Sequence, residues 1–315
     1  MLGASAFYGR FTCSFTRIGY CARRLFWRRF TPDLRGQHWL VTGGSGGLGR
    51  AMVFGALRAG ATVTAAARSP EKLRALVAEA AAEGLSGLDT EACDFTSTAD
   101  TARLVARLAA AGRRIDALMN NVGVLNDRLV VTPEGREASF VSNLLSHYQL
   151  TEGLVGCGLL ADGSVVVNMT SGGGYAVPLV TSMLDVTDPA RYDGTAAYAF
   201  HKRAQMSLNE HWREVHGGRG ILFYVMHPGW ADTAGVQRSL PRFRRALRPI
   251  LRDGRAGADT AIWLVGTRPA QPQREGVWFD RGLRTAHAFG HTRRSADTPA
   301  SLAAFLRAEL ARGPA

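Results

Sequence analysis

From His38 onward, short apolar runs alternate with helical stretches rich in alanine and leucine. The runs HWLVTG (38–43), ATVTAAA (61–67), DTEACDF (89–95), IDALMNN (115–121), SVVVNMTS (164–171), ILFYVMH (221–227) and GVWFD (276–280) predict strands. Between them lie helical patterns such as GRAMVFGALRAG and PEKLRALVAEAAAEG, the second opened by Ser69 and Pro70 as cap and first-turn residue. This alternation predicts an α/β chain: a doubly wound parallel sheet of about seven strands with helices on both faces. Neither an internal repeat nor a Ser- or Pro-rich linker interrupts it. The expected division is a single domain over 37–284. A tail over 285–315 is expected to be irregular before a last helix near 298–312.

Ahead of that pattern, Phe7, Phe11, Phe15, Ile18, Ala22 and Leu25 recur at steps of four and three, with Arg10, Arg17, Arg24 and Arg28 beside them. Residues 1–36 therefore predict a basic amphipathic helix. Three readings of it stay open: attachment to an anionic membrane surface, packing over the main domain, or an organellar presequence, since no acid precedes Asp33.

Composition narrows the picture. A chain of 315 residues with 46% apolar content has ample material for a core. No run approaches the ~18 consecutive apolar residues of a membrane-spanning helix. Cys13, Cys21, Cys93 and Cys157 lie far apart with no metal-ligand spacing, so free thiols and no metal are expected. The net charge of +12 resides in two segments. Residues 1–36 hold seven arginines against Asp33, and residues 238–255 hold seven against Asp253. Any anionic partner would meet two local patches rather than a basic domain, and nucleic acid is not an expected partner. The cytoplasm is the expected compartment, with membrane association or an organelle left open.

Chemistry gathers at three places. Gly43, Gly47 and Gly49 in VTGGSGGLGRAM lie between the first strand and the first helix, where a glycine-rich turn lets the backbone approach a pyrophosphate. The second strand ends in AAARSP, and where an acid would take an NAD ribose stands Arg68. A guanidinium suits a 2′-phosphate, which favours NADP(H) over NAD(H). Finally, Tyr198 and Lys202 share one face of a predicted helix at i and i+4. Lys202 and Lys72 are the only lysines among 38 basic residues. A phenol with an unperturbed pKa near ~10 needs a neighbouring cation to work near neutrality, and a compact ammonium makes that point contact better than a guanidinium.

With these residues in view, the chain resembles the short-chain dehydrogenase/reductase family from about residue 36 to 282. The resemblance runs through TGGSGGLG, CDF, NNVG, SNLLSHYQLT, VVVNMTSGGG, YAFHK and HPGWADT, in that order. MHPGWADTAGV, YDGTAAYAFHKRAQ and WFDRGLRTAH further resemble the subgroup of SDR family member 12 and its bacterial relatives. The resemblance implies a Rossmann-type fold and an NADP(H)-dependent oxidoreductase interconverting a ketone or aldehyde with its alcohol. It implies that Tyr198 is the general acid, that Lys202 lowers its pKa and holds the nicotinamide ribose, that Ser171 orients the carbonyl, and that Asn143 holds a water of the proton relay. Thr42, Gly43, Ser45, Gly47, Leu48 and Gly49 would form the dinucleotide turn, Asp94 would contact adenine, and Asn120, Asn121 and Gly123 would line the cofactor. Pro228 and Gly229 would pass beside the nicotinamide, with Thr233 near its carboxamide. A substrate lid at about 230–256 and a dimer or tetramer are implied as well.

Several features depart from the family pattern. Val122 stands in NNVG where the family usually carries alanine, and Ser171 and Tyr198 are further apart than is common. In the intervening loop Tyr175, Val177, Leu179, Met183 and Leu184 suggest a bulky lipophilic substrate, or simply packing. Phe243, Leu247 and Leu251 fall at i, i+4 and i+8 within the second arginine cluster, so a second basic amphipathic segment near the cleft could also meet a membrane. Two rival classes remain: a non-catalytic NADP(H)-binding protein, and an anion- or nucleic-acid-binding module.

Overall fold

The structure, a computed structural model, describes residues 2–233, 237, 241–271 and 275–312, with side chains from Gly9 onward. The Phe7 side chain and lid positions 234–236 and 238–240 therefore lie outside the described residues. Eight strands form one sheet: β1 (His38–Thr42), β2 (Thr62–Ala67), β3 (Leu88–Ala92), β4 (Ala117–Asn120), β5 (Val165–Met169), β6 (Leu222–Met226), β7 (Val277–Phe279) and β8 (Gly282–Arg284), in the order β3-β2-β1-β4-β5-β6-β7-β8. Every neighbouring pair is parallel except β7 with β8. The strand order reverses between β1 and β4, and a crevice opens there at the carboxyl ends of the strands.

Consecutive apolar positions in the strands feed two cores, one on each face. Trp39, Val41, Met119, Val165 and Val167 face α3 (Gly47–Arg58), α4 (Pro70–Ala82) and a helix over Gly254–Thr267. Leu40, Leu118, Val166 and Phe223 face α5 (Thr98–Ala111), a composite helix spanning 138–156, and α8 (Gly194–His216). The composite runs from α6 (Ala138–Phe140) through a π-helical turn at Val141–Leu145 into α7 (Ser146–Gly156). Helix starts follow local chemistry: Asp193 caps α8 by accepting from the Thr195 and Ala196 amides, and Ser69 accepts from Lys72 N.

The expected seven parallel strands become eight because β7 folds back on itself. Asp280 and Arg281, at φ 48° and 57°, make a two-residue hairpin of the type whose positive dihedrals match strand twist. No glycine or asparagine marks the turn. Tertiary contacts hold it instead: Arg252 grips Asp280 Oδ1 and Oδ2 at 2.6 and 3.0 Å, and Arg281 pairs with Asp259 at 2.6 Å.

The single N-terminal helix is also corrected. Thr16, extended at φ −82° and ψ 178°, separates α1 (Leu2–Phe15) from α2 (Arg17–Arg24). The expected stripe divides there. Phe15 is buried among Tyr175, His227, Trp230 and Phe279, while Ile18, Ala22 and Leu25 face solvent. Arg252 Nε donates to the Phe15 carbonyl at 2.9 Å, and Arg23 Nε reaches Asp280 at 2.7 Å, so the segment is bolted to the carboxyl edge of the sheet. In the second arginine cluster, α9 (Pro241–Leu247) stops before Pro249, so Phe243, Leu247 and Leu251 do not share one helix face. Leu251 is buried, and Phe243 packs edge-on against Trp230. The last two helices are α10 (Gly254–Thr267) and α11 (Pro299–Ala311), the latter opened by a Thr298–Ser301 capping box and packed into the core through Leu302 and Leu306.

Candidate active site

The glycine turn joins β1 to α3 at the switch point. Gly43 and Gly47 adopt φ 66° and 52°, a region costly for other residues. A Cβ on Gly49 would sit 2.7 Å from Asn121 Nδ2 and closer still to the Gly43 carbonyl oxygen, so only glycine lets the helix start this near the strand. Gly46 is the N-cap of α3 and supplies no side-chain cap, leaving first-turn N–H groups and the helix dipole for an anion. Ser45 and Leu48 lie half-buried in this turn, and Thr233 packs against Gly47.

Beneath the turn, Thr42 and Asn121 tie the ends of β1 and β4 together. Thr42 Oγ1 donates to Met119 O at 3.0 Å and accepts from the Asn121 and Val122 amides, while Asn121 Nδ2 donates to Thr42 O at 2.7 Å. Thr42 is fully buried and shapes the floor of the crevice. Asn120 points the other way. Its Nδ2 donates to Thr151 Oγ1 and Asn168 Oδ1, and Asn168 Nδ2 donates to Asn209, a buried amide ladder under α7 and α8. Arg68 stands exposed just past β2, with no ion pair or hydrogen bond among the described residues. Asp94 accepts from Thr96 N and Oγ1 at 3.0 and 2.8 Å, fixing the turn after β3.

Tyr198 and Lys202 lie on the half of α8 that crosses β5. Lys202 is buried, its Nζ 5.5 Å from the Tyr198 ring centroid and 2.8 Å from Met169 O, to which it donates. Thr170 Oγ1 donates to Lys202 O at 2.7 Å, which pins the helix to the end of β5. Ser171 follows directly, and its side chain hydrogen-bonds to the half-buried Tyr198 phenol. Glycines permit this closeness: a Cβ on Gly174 would lie 2.9 Å from the Lys202 carbonyl, and one on Gly123 would lie 3.3 Å from Lys202 Nζ. Arg203, by contrast, faces away, buried against Glu275, His287 and the Ala286 carbonyl.

Electrostatics refine the expected division of labour. Burial lowers the Lys202 ammonium from 10.5 to about 7. Burial also holds the Tyr198 phenol above its ordinary value, opposed by the Ser171 hydrogen bond. Desolvation is thus the larger influence on both groups of the pair in this state.

Asn143 sits in the π-helical turn, fully buried. Its Oδ1 accepts from Val124 N at 2.7 Å and its Nδ2 donates to Val124 O at 2.8 Å, so both side-chain groups clasp the loop after β4 that passes Lys202. Sequence reasoning missed the residues that orient it. His201 Nε2 donates to Leu184 O at 2.8 Å, which leaves Nδ1 to accept from Asn143 Nδ2 at 3.4 Å. Burial keeps this imidazole neutral, its pKa lowered to about 4. Gln205 donates to Asn143 O and to His147 Nδ1, and His147 Nε2 donates to Val122 O at 3.0 Å. For His201 and Gln205 the available signal was their spacing from Tyr198 on α8, because a histidine or glutamine in a helix reads as a surface residue.

Near Ser171, Leu179 and Leu184 belong to the core and Tyr175 packs on Phe15, so of the five apolar side chains singled out in that loop only Val177 and Met183 are part-exposed. Gly229, at φ 75°, turns beside Phe15, where a Cβ would lie 2.7 Å from the Phe15 carbonyl oxygen, and Pro228 packs toward Gly257.

Residues 37–242 match the short chain dehydrogenase family. Dehydrogenase/reductase SDR family member 12 of Bos taurus is 30% identical over 90% of this chain and 90% of its own length. The protein of the same name from Homo sapiens is 32% identical, covering 81% of this chain and 80% of its own. Among solved structures, the RhlG/NADP active-site complex of Pseudomonas aeruginosa superposes with a TM-score of 0.61 at 25% identity, over 76% of this chain and 93% of that one.

Proposed function

The chain belongs to the short chain dehydrogenase family and is an oxidoreductase of that NAD(P)-binding Rossmann fold, and on that premise we propose that it interconverts a bulky lipophilic carbonyl compound and its alcohol with NADP(H) in preference to NAD(H). The observation that carries the reading is Lys202 buried against the Tyr198 ring, with Ser171 bonded to the same phenol.

The turn at Gly43, Ser45, Gly47, Leu48 and Gly49 would hold the pyrophosphate at the start of α3, with Asn121, Gly123, Pro228, Gly229 and Thr233 lining the rest and Asp94 closing the adenine end. Arg68, exposed at the end of β2 and without an ion pair among the described residues, supports the 2′-phosphate preference. When bound, the dinucleotide supplies or accepts the hydride.

The protein's own part is to orient one carbonyl and move one proton. In the reductive direction the Ser171 hydroxyl donates a hydrogen bond to the carbonyl oxygen. The Tyr198 phenol gives that oxygen its proton, and the Lys202 ammonium stabilises the phenolate left behind. Asn143, by clasping Val124, holds Gly123 against Lys202 and fixes the wall along which a relay water would return a proton. Thr42 and Asn120 serve by position, beneath the site. Val177 and Met183 support an apolar substrate, and an oily substrate suits contact with a membrane surface. Assembly into a dimer or tetramer is part of the same reading.

The test is oxidation of NADPH and NADH, in parallel, against aldehydes and ketones graded in size and polarity. Turnover should be faster with NADPH and with larger apolar carbonyls, and Tyr198→Phe should lose about 100- to 10,000-fold in kcat while retaining NADPH binding. A Tyr198→Phe enzyme near the parent rate would remove the phenol from the mechanism.

A further inference from the structure

The N-terminal segment holds two large apolar side chains out in solvent on a rigid mount. Leu25 and Phe26, just past the end of α2, are 83% and 88% exposed, and Ile18, seven residues before Leu25 in α2, is 54% exposed. Their neighbours point inward. Arg23 is bonded to Asp280, Trp27 packs edge-on to Tyr20 at 5.3 Å with the Arg281 guanidinium 4.3 Å from its ring, and Phe30 abuts Gly266. The Phe26 and Trp27 amides donate to the Arg23 and Arg24 carbonyls, closing a turn. The exposed pair therefore projects from a segment fastened on both sides.

Its surroundings are one-signed. Arg17, Arg24, Arg28 and Arg29 are exposed around the pair and make no ion pair or hydrogen bond among the described residues. Some surface arginines elsewhere do find acids, as Arg50 does with Glu79, Arg58 with Glu83, Arg103 with Asp100 and Arg107 with Glu91, and what sets this patch apart is that four unpaired guanidinium groups gather round two exposed apolar side chains. The mount lies at the β7–β8 turn, at the carboxyl edge where the crevice with Ser171 and Tyr198 opens.

We propose that Leu25 and Phe26, with Ile18 and these four arginines, form the docking surface for an anionic lipid bilayer, the apolar tip entering the headgroup boundary while the guanidinium groups pair with phosphates. This rests on the membrane contact in the proposed function and assigns it to this tip rather than to the Phe11–Phe15 face, which the domain covers. A second copy of the chain suits the surface poorly. A two-fold interface would set unpaired guanidinium groups against one another, whereas stable interfaces are depleted of charge at their centre.

The experiment is co-sedimentation of the full-length protein with phosphatidylcholine vesicles, with and without about 30% phosphatidylserine, at about 0.05 and 0.5 M salt. The wild-type protein should bind the anionic vesicles at low salt, release at high salt, and bind neutral vesicles weakly. The double variant Leu25→Glu/Phe26→Glu should lower the partition coefficient by about tenfold or more, with turnover of a water-soluble carbonyl and Tm unchanged. Wild-type protein left in the supernatant at low salt would defeat membrane contact altogether. Equal binding by the double variant would leave membrane contact standing and overturn this surface. A parent dimer that the double variant converts to monomer in light scattering would assign the surface to a second copy and overturn the proposal.

Discussion

Replacing Lys202 by methionine should stabilise the protein while abolishing turnover. Lys202 is 3% exposed, and burial lowers its pKa from 10.5 to about 7. In the unfolded chain this lysine stays protonated up to its ordinary value, so between about 7 and 10.5 the unfolded state binds more protons and stability rises with pH. The penalty is complete below the folded pKa, where the gap is worth about 5 kcal/mol, and it vanishes above the unfolded one. Methionine has similar length and no charge to bury, but leaves the Met169 carbonyl without its donor, which costs about 1–3 kcal/mol. The net gain near pH 6 is about 2–4 kcal/mol, which for a chain of this size raises Tm by about 3–6 °C. Thermal melts of parent and variant by circular dichroism, without nucleotide and from pH 6 to 10, check it. The difference in Tm should be greatest at the acid end and shrink or reverse toward pH 10. A difference independent of pH, or a variant less stable at pH 6, would refute a buried, strained ammonium at this position.

Other substitutions probe the remaining parts of the site. Gly49→Ala forces a Cβ between Asn121 and the Gly43 carbonyl, so NADPH affinity should fall by about tenfold or more in a fluorescence titration, and unchanged affinity would argue against the turn as the pyrophosphate site. Arg68→Ser should raise the KM for NADPH by about tenfold or more and leave that for NADH nearly untouched; equal effects on both would remove the 2′-phosphate contact. Phe15→Ala empties a buried aromatic cluster and should cost about 3–5 kcal/mol, read as a fall in Tm of several degrees, whereas a silent substitution would mean that α1 does not pack against the domain.

What the sequence determined was whatever local chemistry spells out in consecutive residues. Apolar runs long enough for a strand and buried on both faces placed β1, β2 and β4 to β7 within a few residues of where they lie, the exposed edge strand β3 was read from its place in the alternation, and the glycine turn was legible because dihedral freedom and close approach are properties of glycine itself. Tyr198 and Lys202 were legible because four residues along a helix always share a face.

The tertiary structure decided everything that depends on a partner far away in the chain. Asn120 and Asn121 are identical in the sequence, yet one supports the helices below and the other seals the crevice, because alternate residues at a strand end leave by opposite faces. Asp280 and Arg281 turn a hairpin without glycine because Arg252 and Asp259 hold them in it. Arg203 looks like its surface counterparts and is buried, while Leu25 and Phe26 look like core and face solvent, since fixing Arg23 and Trp27 inward leaves them no wall to pack on. A side chain carries its own size, charge and dihedral preferences wherever it goes, but burial and electrostatic environment belong to the pair it forms, and pairs are made only when the chain closes on itself.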